Sequence, residues 1–191
     1  MSEDRVRENL EEIEALRAAL TVMRGRVAEL EQLADTDTLT PLANRRTFVR
    51  ELERALTMVA RHGEPAAVLF IDLNGLKGIN DSHGHKAGDA MILHVARELR
   101  AHVRLADVVA RIGGDEFAVI LHRVDREAAH AKARALAQHL SETCVDIGTA
   151  VIPVGISCGV AMVRSDDSAD TVLARADAAM YARRRAQRSD K

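Results

Sequence analysis

The sequence predicts an α/β domain of ferredoxin or palm type, a central and mostly antiparallel sheet flanked by helices, preceded by a long coiled-coil helix. Three observations carry this expectation. Strand-like and helix-like segments alternate, interrupted by one central hairpin. Residues 66–73, AAVLFIDL, form a short continuous apolar run, the pattern of a strand buried on both faces. The opening segment carries an apolar repeat at alternating steps of three and four. The division is residues 1–34 for the helix and 35–191 for the domain.

The repeat comprises Val6, Ile13, Leu16, Leu20, Met23, Val27, Leu30 and Ala34, with Asn9 in the place of a missing apolar residue. A lone Asn on such a seam fixes register. The same stripe would serve a helix packed on its own domain, but its narrowness and charged flanks favour a parallel dimer. Pro41 disfavours helical geometry at Thr40, so this helix stops near Thr36–Thr40. A second helix, about Asn44 to Arg61, places Phe48, Leu52, Leu56 and Val59 on one face, and HGEP ends it. After the 66–73 strand comes a polar, glycine-rich stretch, NGLKGINDSHGHKAGD, read as a loop. A helix from about Lys86 to Val103 follows, with Ile92, Val95, Leu99 and Val103 inward. Gly113-Gly114 between two apolar runs signals a hairpin turn, because glycine accepts the positive φ of tight turns. Residues 125–142 read as a helix, VIPVGISCGVAMV contains a strand, and residues 168–188 form a last helix.

Composition excludes several functions. A net charge of −2 gives no reason to expect a nucleic acid polymer or an anionic membrane as partner. Tryptophan is absent and other aromatics are scarce, so base-stacking platforms are not expected. Cys144 and Cys158 lack metal-binding spacing and read as small core residues in a reducing compartment. With no apolar run near a membrane span and no signal peptide, a cytoplasmic protein is expected.

The chemistry sits at strand ends. Asp72 ends one apolar run and Asp115 precedes another, with Glu116 beside it. If the strands are neighbours, the carboxylates meet at one rim, the arrangement that hard divalent cations require. An acidic pair after a turn is also an ordinary solvated feature. Between these acids, NGLKGINDSHGH offers backbone N–H groups and the Lys77 cation, a phosphate-binding nest without the GK[ST] of a Walker A loop. Arg184 and Arg188 share one face of the last helix, either as a solvated basic patch or as holders of a triphosphate.

Five motifs now stand in order: DTLTPLANRR (37–46), FIDLNGLKGINDSHGHKAGD (70–89), ARIGGDEFAVIL (110–121), SCGVA (157–161) and ADAAMYARRRAQR (176–188). Together they resemble the GGDEF family of diguanylate cyclases over about Asp35 to Arg188. The resemblance implies condensation of two GTP to cyclic di-GMP with release of two pyrophosphates, across two facing domains of a homodimer. It implies Mg2+, two ions per active site with Mn2+ possible, held by Asp72, the Leu73 carbonyl and Asp115. Asp115 would also accept the 3′-hydroxyl proton, with Glu116 supporting the rim and Lys77 stabilising phosphate charge. Asn80, His85 and Asp89 match nucleoside contacts. A carboxylate at 89 accepts from guanine N1–H and N2–H2, where adenine presents an acceptor at N1. Arg184 and Arg188 match γ-phosphate contacts. Arg104 and Asp107 match an inhibitory RxxD product site, although RxxD alone is also an ordinary surface ion pair; Arg126 and Arg134 are equal candidates for its further arginine. Asn74, Leu76, Ile112 and Arg184 depart from the residues common in the family. The alternative reading is a catalytically silent GGDEF domain that binds GTP or cyclic di-GMP.

Overall fold

The computed structural model describes residues 13, 14, 16–24, 26 and 35–189, with side chains as far as residue 185. The chain divides into two compact units, residues 1–35 and 36–191. In the first, the described residues of 13–26 are helical, and Ile13, Leu16, Leu20 and Met23 of the expected seam are exposed. Val6, Asn9, Val27, Leu30 and Ala34 of that seam lie outside the described residues. Among the described residues no helix is long and apolar enough to cross a membrane.

The second unit runs α1 (Arg45–His62), β1 (Ala66–Leu73), α2 (Leu76–His83), α3 (His85–Ala101), β2 (Val108–Arg111), β3 (Glu116–His122), α4 (Arg126–Ser141), β4 (Cys144–Asp146), β5 (Val151–Pro153), β6 (Ile156–Met162) and α5 (Ala169–Ser189). The main sheet has the order β2-β3-β1-β6, every neighbour antiparallel. This is the expected architecture.

β1 explains its own composition. All eight of its residues are buried, and they alternate between two cores. Ala67, Leu69, Ile71 and Leu73 face a cluster with Val95 and Leu99 of α3 and Leu136 and Leu140 of α4. Ala66, Val68 and Phe70 face Phe48 and Leu52 of α1 and Val172 and Ala176 of α5. A central strand covered on both sides has no polar face to alternate with.

The DTLTPLANRR segment docks on the sheet edge. The Ala43 amide donates to the Val109 carbonyl at 3.3 Å, and Ala43 accepts from the Arg111 amide at 2.9 Å. This covers the outer edge of β2. Asn44 then caps α1 by accepting from the Thr47 amide at 3.0 Å, and Gly63 closes it at φ 66°.

Two expectations are corrected and a third gains detail. The 74–89 stretch is not a loop: it holds α2 and the start of α3. Gly75 and Gly84, at φ 77° and 81°, bracket α2, while Leu76 and Ile79 pack against the core at helical spacing. The glycines therefore punctuate a helix. The 151–163 run contains its expected strand, β6, which begins after Gly155, and also holds β5, which pairs with β4 in a separate ribbon. Cys144 is exposed and only Cys158 is buried, because Cys144 points outward from the short strand β4.

SCGVA has a packing explanation. A Cβ on Gly159 would collide with backbone atoms of Ala176 and Met180, so α5 lies directly against β6 there. Gly159→Ala is expected to destabilise the domain by roughly 1–3 kcal/mol in urea unfolding, the usual range for overpacking. Gly114→Ala is the control: its Cβ would meet open space, and a change within about 0.5 kcal/mol is expected.

Candidate active site

Strand register builds the acidic rim. Asp72 lies opposite Glu116 in the β1–β3 ladder, and the Leu73 amide donates to the Asp115 carbonyl at 2.9 Å. Neighbouring strands thus bring Asp72, Leu73, Asp115 and Glu116 together. Asp72 continues the alternation of Ala66, Val68 and Phe70, which puts it on the α5 side of the sheet. There the Arg184 guanidinium donates to its Oδ1 at 2.8 Å, and only 8 % of Asp72 is exposed. The backbone of Arg188 lies one turn further along α5, and its side chain lies outside the described residues.

The rim is acidic in excess of its cations. Burial pushes the Asp72 carboxyl up; Asp115 and Asp177 add to this, against the opposing pull of Arg184. Burial also raises Glu116, helped by Asp115, Asp177 and Asp72, while Arg45 opposes.

The two glycines of the turn act through space and not through φ. Neither has a positive φ. A Cβ on Gly113 would collide with the Glu116 carboxylate, which folds back over it, whereas Gly114 faces open space. The Glu116 carbonyl accepts from the Ile112 amide at 2.9 Å and the Gly113 amide at 3.3 Å, closing the turn.

Arg111 clamps this turn, a role the motif reading missed. Its Nε and Nη2 donate to the Gly114 carbonyl at 3.2 and 2.8 Å, and its Nη1 donates to Asp37 Oδ1 at 3.1 Å. The same Asp37 oxygen accepts from the Thr40 amide at 2.8 Å and the Thr40 hydroxyl at 2.9 Å. Burial pushes the Asp37 carboxyl up, but these hydrogen bonds and Arg111 outweigh it and hold the group low. Bulky groups joined across distant sequence are signalled only by an Arg at the end of one strand and an Asp before a turn.

Beside the rim lies a cavity of about 420 Å³. Lys77, Asn80, His85, Asp89 and Asp115 line it, with Leu76, Ile92 and Arg111. Asp115 belongs to both cavity and rim. Gly88 lets Asn80 lie flat against α3, because a Cβ there would collide with the Asn80 amide. Asn80 Oδ1 is buried and has no hydrogen-bond partner among the described residues.

Arg104 and Asp107 line a separate cavity of about 110 Å³ with His122 and Lys132. Lys132 stands on α4, and neither Arg126 nor Arg134 lines this cavity. Asp107 is buried: its Oδ2 accepts from the Arg104 amide at 3.0 Å and its Oδ1 from the His122 amide at 3.2 Å. The carboxylate therefore ties the RxxD turn to the end of β3.

The family model for the diguanylate cyclase GGDEF domain matches residues 34–190. The chain belongs to the GGDEF diguanylate cyclase family. Among relatives of this GGDEF domain, the bifunctional diguanylate cyclase/cyclic di-GMP phosphodiesterase MucR of Pseudomonas aeruginosa is 38% identical over 80% of the chain and 22% of MucR. Diguanylate cyclase TpbB of the same species is 46% identical over 59% of the chain and 25% of TpbB. The chain thus spans about a quarter or less of these curated relatives. Among solved structures, the coiled coil and GGDEF domain of DgcB from Caulobacter crescentus, in complex with c-di-GMP, superposes at a TM-score of 0.80 with 30% identity, covering 96% of this chain and 94% of that one.

The rim makes a stability prediction. Asp72 and Glu116 are shifted upward, so ionising them costs stability as pH rises through their folded values, and the cost vanishes in acid. Asp115→Asn removes a charge that raises both. It should stabilise the GGDEF domain at neutral pH by up to about 1 kcal/mol, the partly solvated range. Urea unfolding at stepped pH should show the gain shrinking as the rim carboxyls protonate.

Proposed function

We propose that the chain is a diguanylate cyclase that works as a homodimer, each domain holding one GTP, and that cyclic di-GMP binds at the RxxD cavity through Arg104 and slows the enzyme. The observation that carries the proposal is the convergence of Lys77, Asn80, His85, Asp89 and Asp115 on one cavity beside the acidic rim.

The rim suits a hard cation. Its donors are carboxylate oxygens, and burial and mutual repulsion leave it short of positive charge. Asp72, Asp115 and the Leu73 carbonyl would hold Mg2+ or Mn2+. When bound, the ion polarises phosphoryl oxygens and neutralises their charge. The protein's own groups do the rest. Asp89 accepts from guanine N1–H and N2–H2, and Asn80 borders the base from the same cavity wall. His85 borders the nucleoside. Lys77, in the first turn of α2, holds phosphate charge next to the helix amides. Arg184 and Arg188 supply cations toward the γ-phosphate. Asp115 takes the proton from the 3′-hydroxyl of the facing GTP as that oxygen attacks the α-phosphorus, and pyrophosphate leaves. Two such steps join two GTP into cyclic di-GMP.

Dimerisation rests on the apolar seam of residues 6–34, whose described members are exposed in the single chain.

Incubation with GTP and Mg2+, read by chromatography, should yield cyclic di-GMP, and ATP should not react. Asp115→Ala should lower turnover by at least about 100-fold, the minimum for a lost proton acceptor, while circular dichroism stays unchanged. Equal turnover of ATP or full activity of the variant would overturn the reading.

Deleting residues 1–34 tests assembly. A coiled coil raises the effective concentration of the second half-site to roughly millimolar. The truncated protein should sediment as a monomer at micromolar concentration and lose most activity.

A further inference from the structure

The face opposite the α1–α5 layer carries a second group of chemical side chains that the cyclase reading does not use. His94 and Glu98 of α3 and His102, the C-cap residue that follows it, recur every fourth residue and share one side of that helix. His139 of α4 meets them from the neighbouring helix: its Nε2 lies 2.7 Å from Glu98 Oε2. His102 Nδ1 lies 3.7 Å from the same oxygen. The two imidazole rings are 3.8 Å apart between centroids and inclined by 36°. One ligand atom each from Glu98, His102 and His139 lies within 4.8 Å of the other two.

We propose that Glu98, His102 and His139 form a binding site for a divalent transition ion, of which Zn2+ is the representative. Two imidazoles and one carboxylate are a donor set that zinc and its neighbours prefer and Mg2+ does not, so the site is chemically distinct from the acidic rim. All three side chains are partly exposed, between 26% and 41%, which lets an ion enter while the α3 and α4 backbones hold the donors in place. His94 stays outside the donor set because Thr143 Oγ1 holds its Nε2 at 3.0 Å. His102 gives up a 2.8 Å hydrogen bond from Nδ1 to the Glu98 carbonyl, an exposed contact that water replaces. Three protein ligands leave a fourth position for water.

The site lies next to the RxxD turn. The His102 carbonyl accepts from Lys132 Nζ at 2.9 Å, and Lys132 lines the Arg104–Asp107 cavity. A bound ion would therefore pin the end of α3 to α4 where that turn begins.

The test uses the full chain, stripped with a chelator and dialysed into buffer containing Mg2+. Calorimetric titration with Zn2+ should show one site per chain with a micromolar Kd. His139→Gln and His102→Gln should each weaken it at least tenfold, and Co2+ added in place of Zn2+ should give tetrahedral d–d absorption in the unaltered protein only. A measurement without variants accompanies this: Zn2+ should protect His102 and His139, but not the exposed His62, from acylation by diethylpyrocarbonate, read by peptide mass spectrometry. The absence of a micromolar site, equal Zn2+ affinity in the variants, or unprotected His102 and His139 would each overturn the proposal.

Discussion

The register of β1 against β3 is the constraint on which the rest of the domain depends. Asp72 stands opposite Glu116 only in this register, and it faces α5 only because its parity matches that of Val68 and Phe70. A slip of one residue would turn Asp72 toward the α3–α4 side and expel the apolar set of each face into the wrong core. The cores on the two sides therefore hold the acids in place. Asp72 is a polar residue kept at the end of a strand whose other positions are apolar, and its location inherits the precision of that packing.

Close approach by backbone is the second recurring device. Gly159 lets α5 settle on β6, and only from that position does Arg184 reach Asp72, 112 residues away in sequence. Gly113 makes room for the Glu116 carboxylate, and Gly88 for Asn80. Each absent Cβ is filled by a neighbouring group that matters to the site or to its support. Such glycines are steric requirements, and no freedom of φ is being used at them.

Much of this was legible in the sequence. The apolar run of β1 announced a strand covered on both faces, and acids at the ends of two such runs announced a rim. The 74–89 segment misled because its glycines and polar residues hide a short apolar pair, Leu76 and Ile79, that suffices for one helix when the core supplies the contact. The hairpin at Gly113-Gly114 formed as expected, but not for the expected reason: sequence records that a residue is small, and not whether φ or a neighbour demands it. The Arg111 clamp and the Arg184–Asp72 pair were invisible because each joins segments whose separation carries no local periodicity. Lys132 was not legible beside Arg104 because no spacing in the sequence ties a lysine of α4 to the RxxD turn.

The clamp on the GGDE turn has a mechanical consequence. Asp37 is the second residue of the domain unit, and it grips Arg111, which in turn holds the carbonyl of Gly114 at the cavity wall. The path from the domain's point of entry to the wall is one ion pair and one forked hydrogen bond, with no flexible linker between. A tug or twist delivered at Thr36 thus arrives at the cavity-facing turn as a displacement of the lever arm formed by Asp37 and Arg111. The chain's threshold is also a handle on its turn.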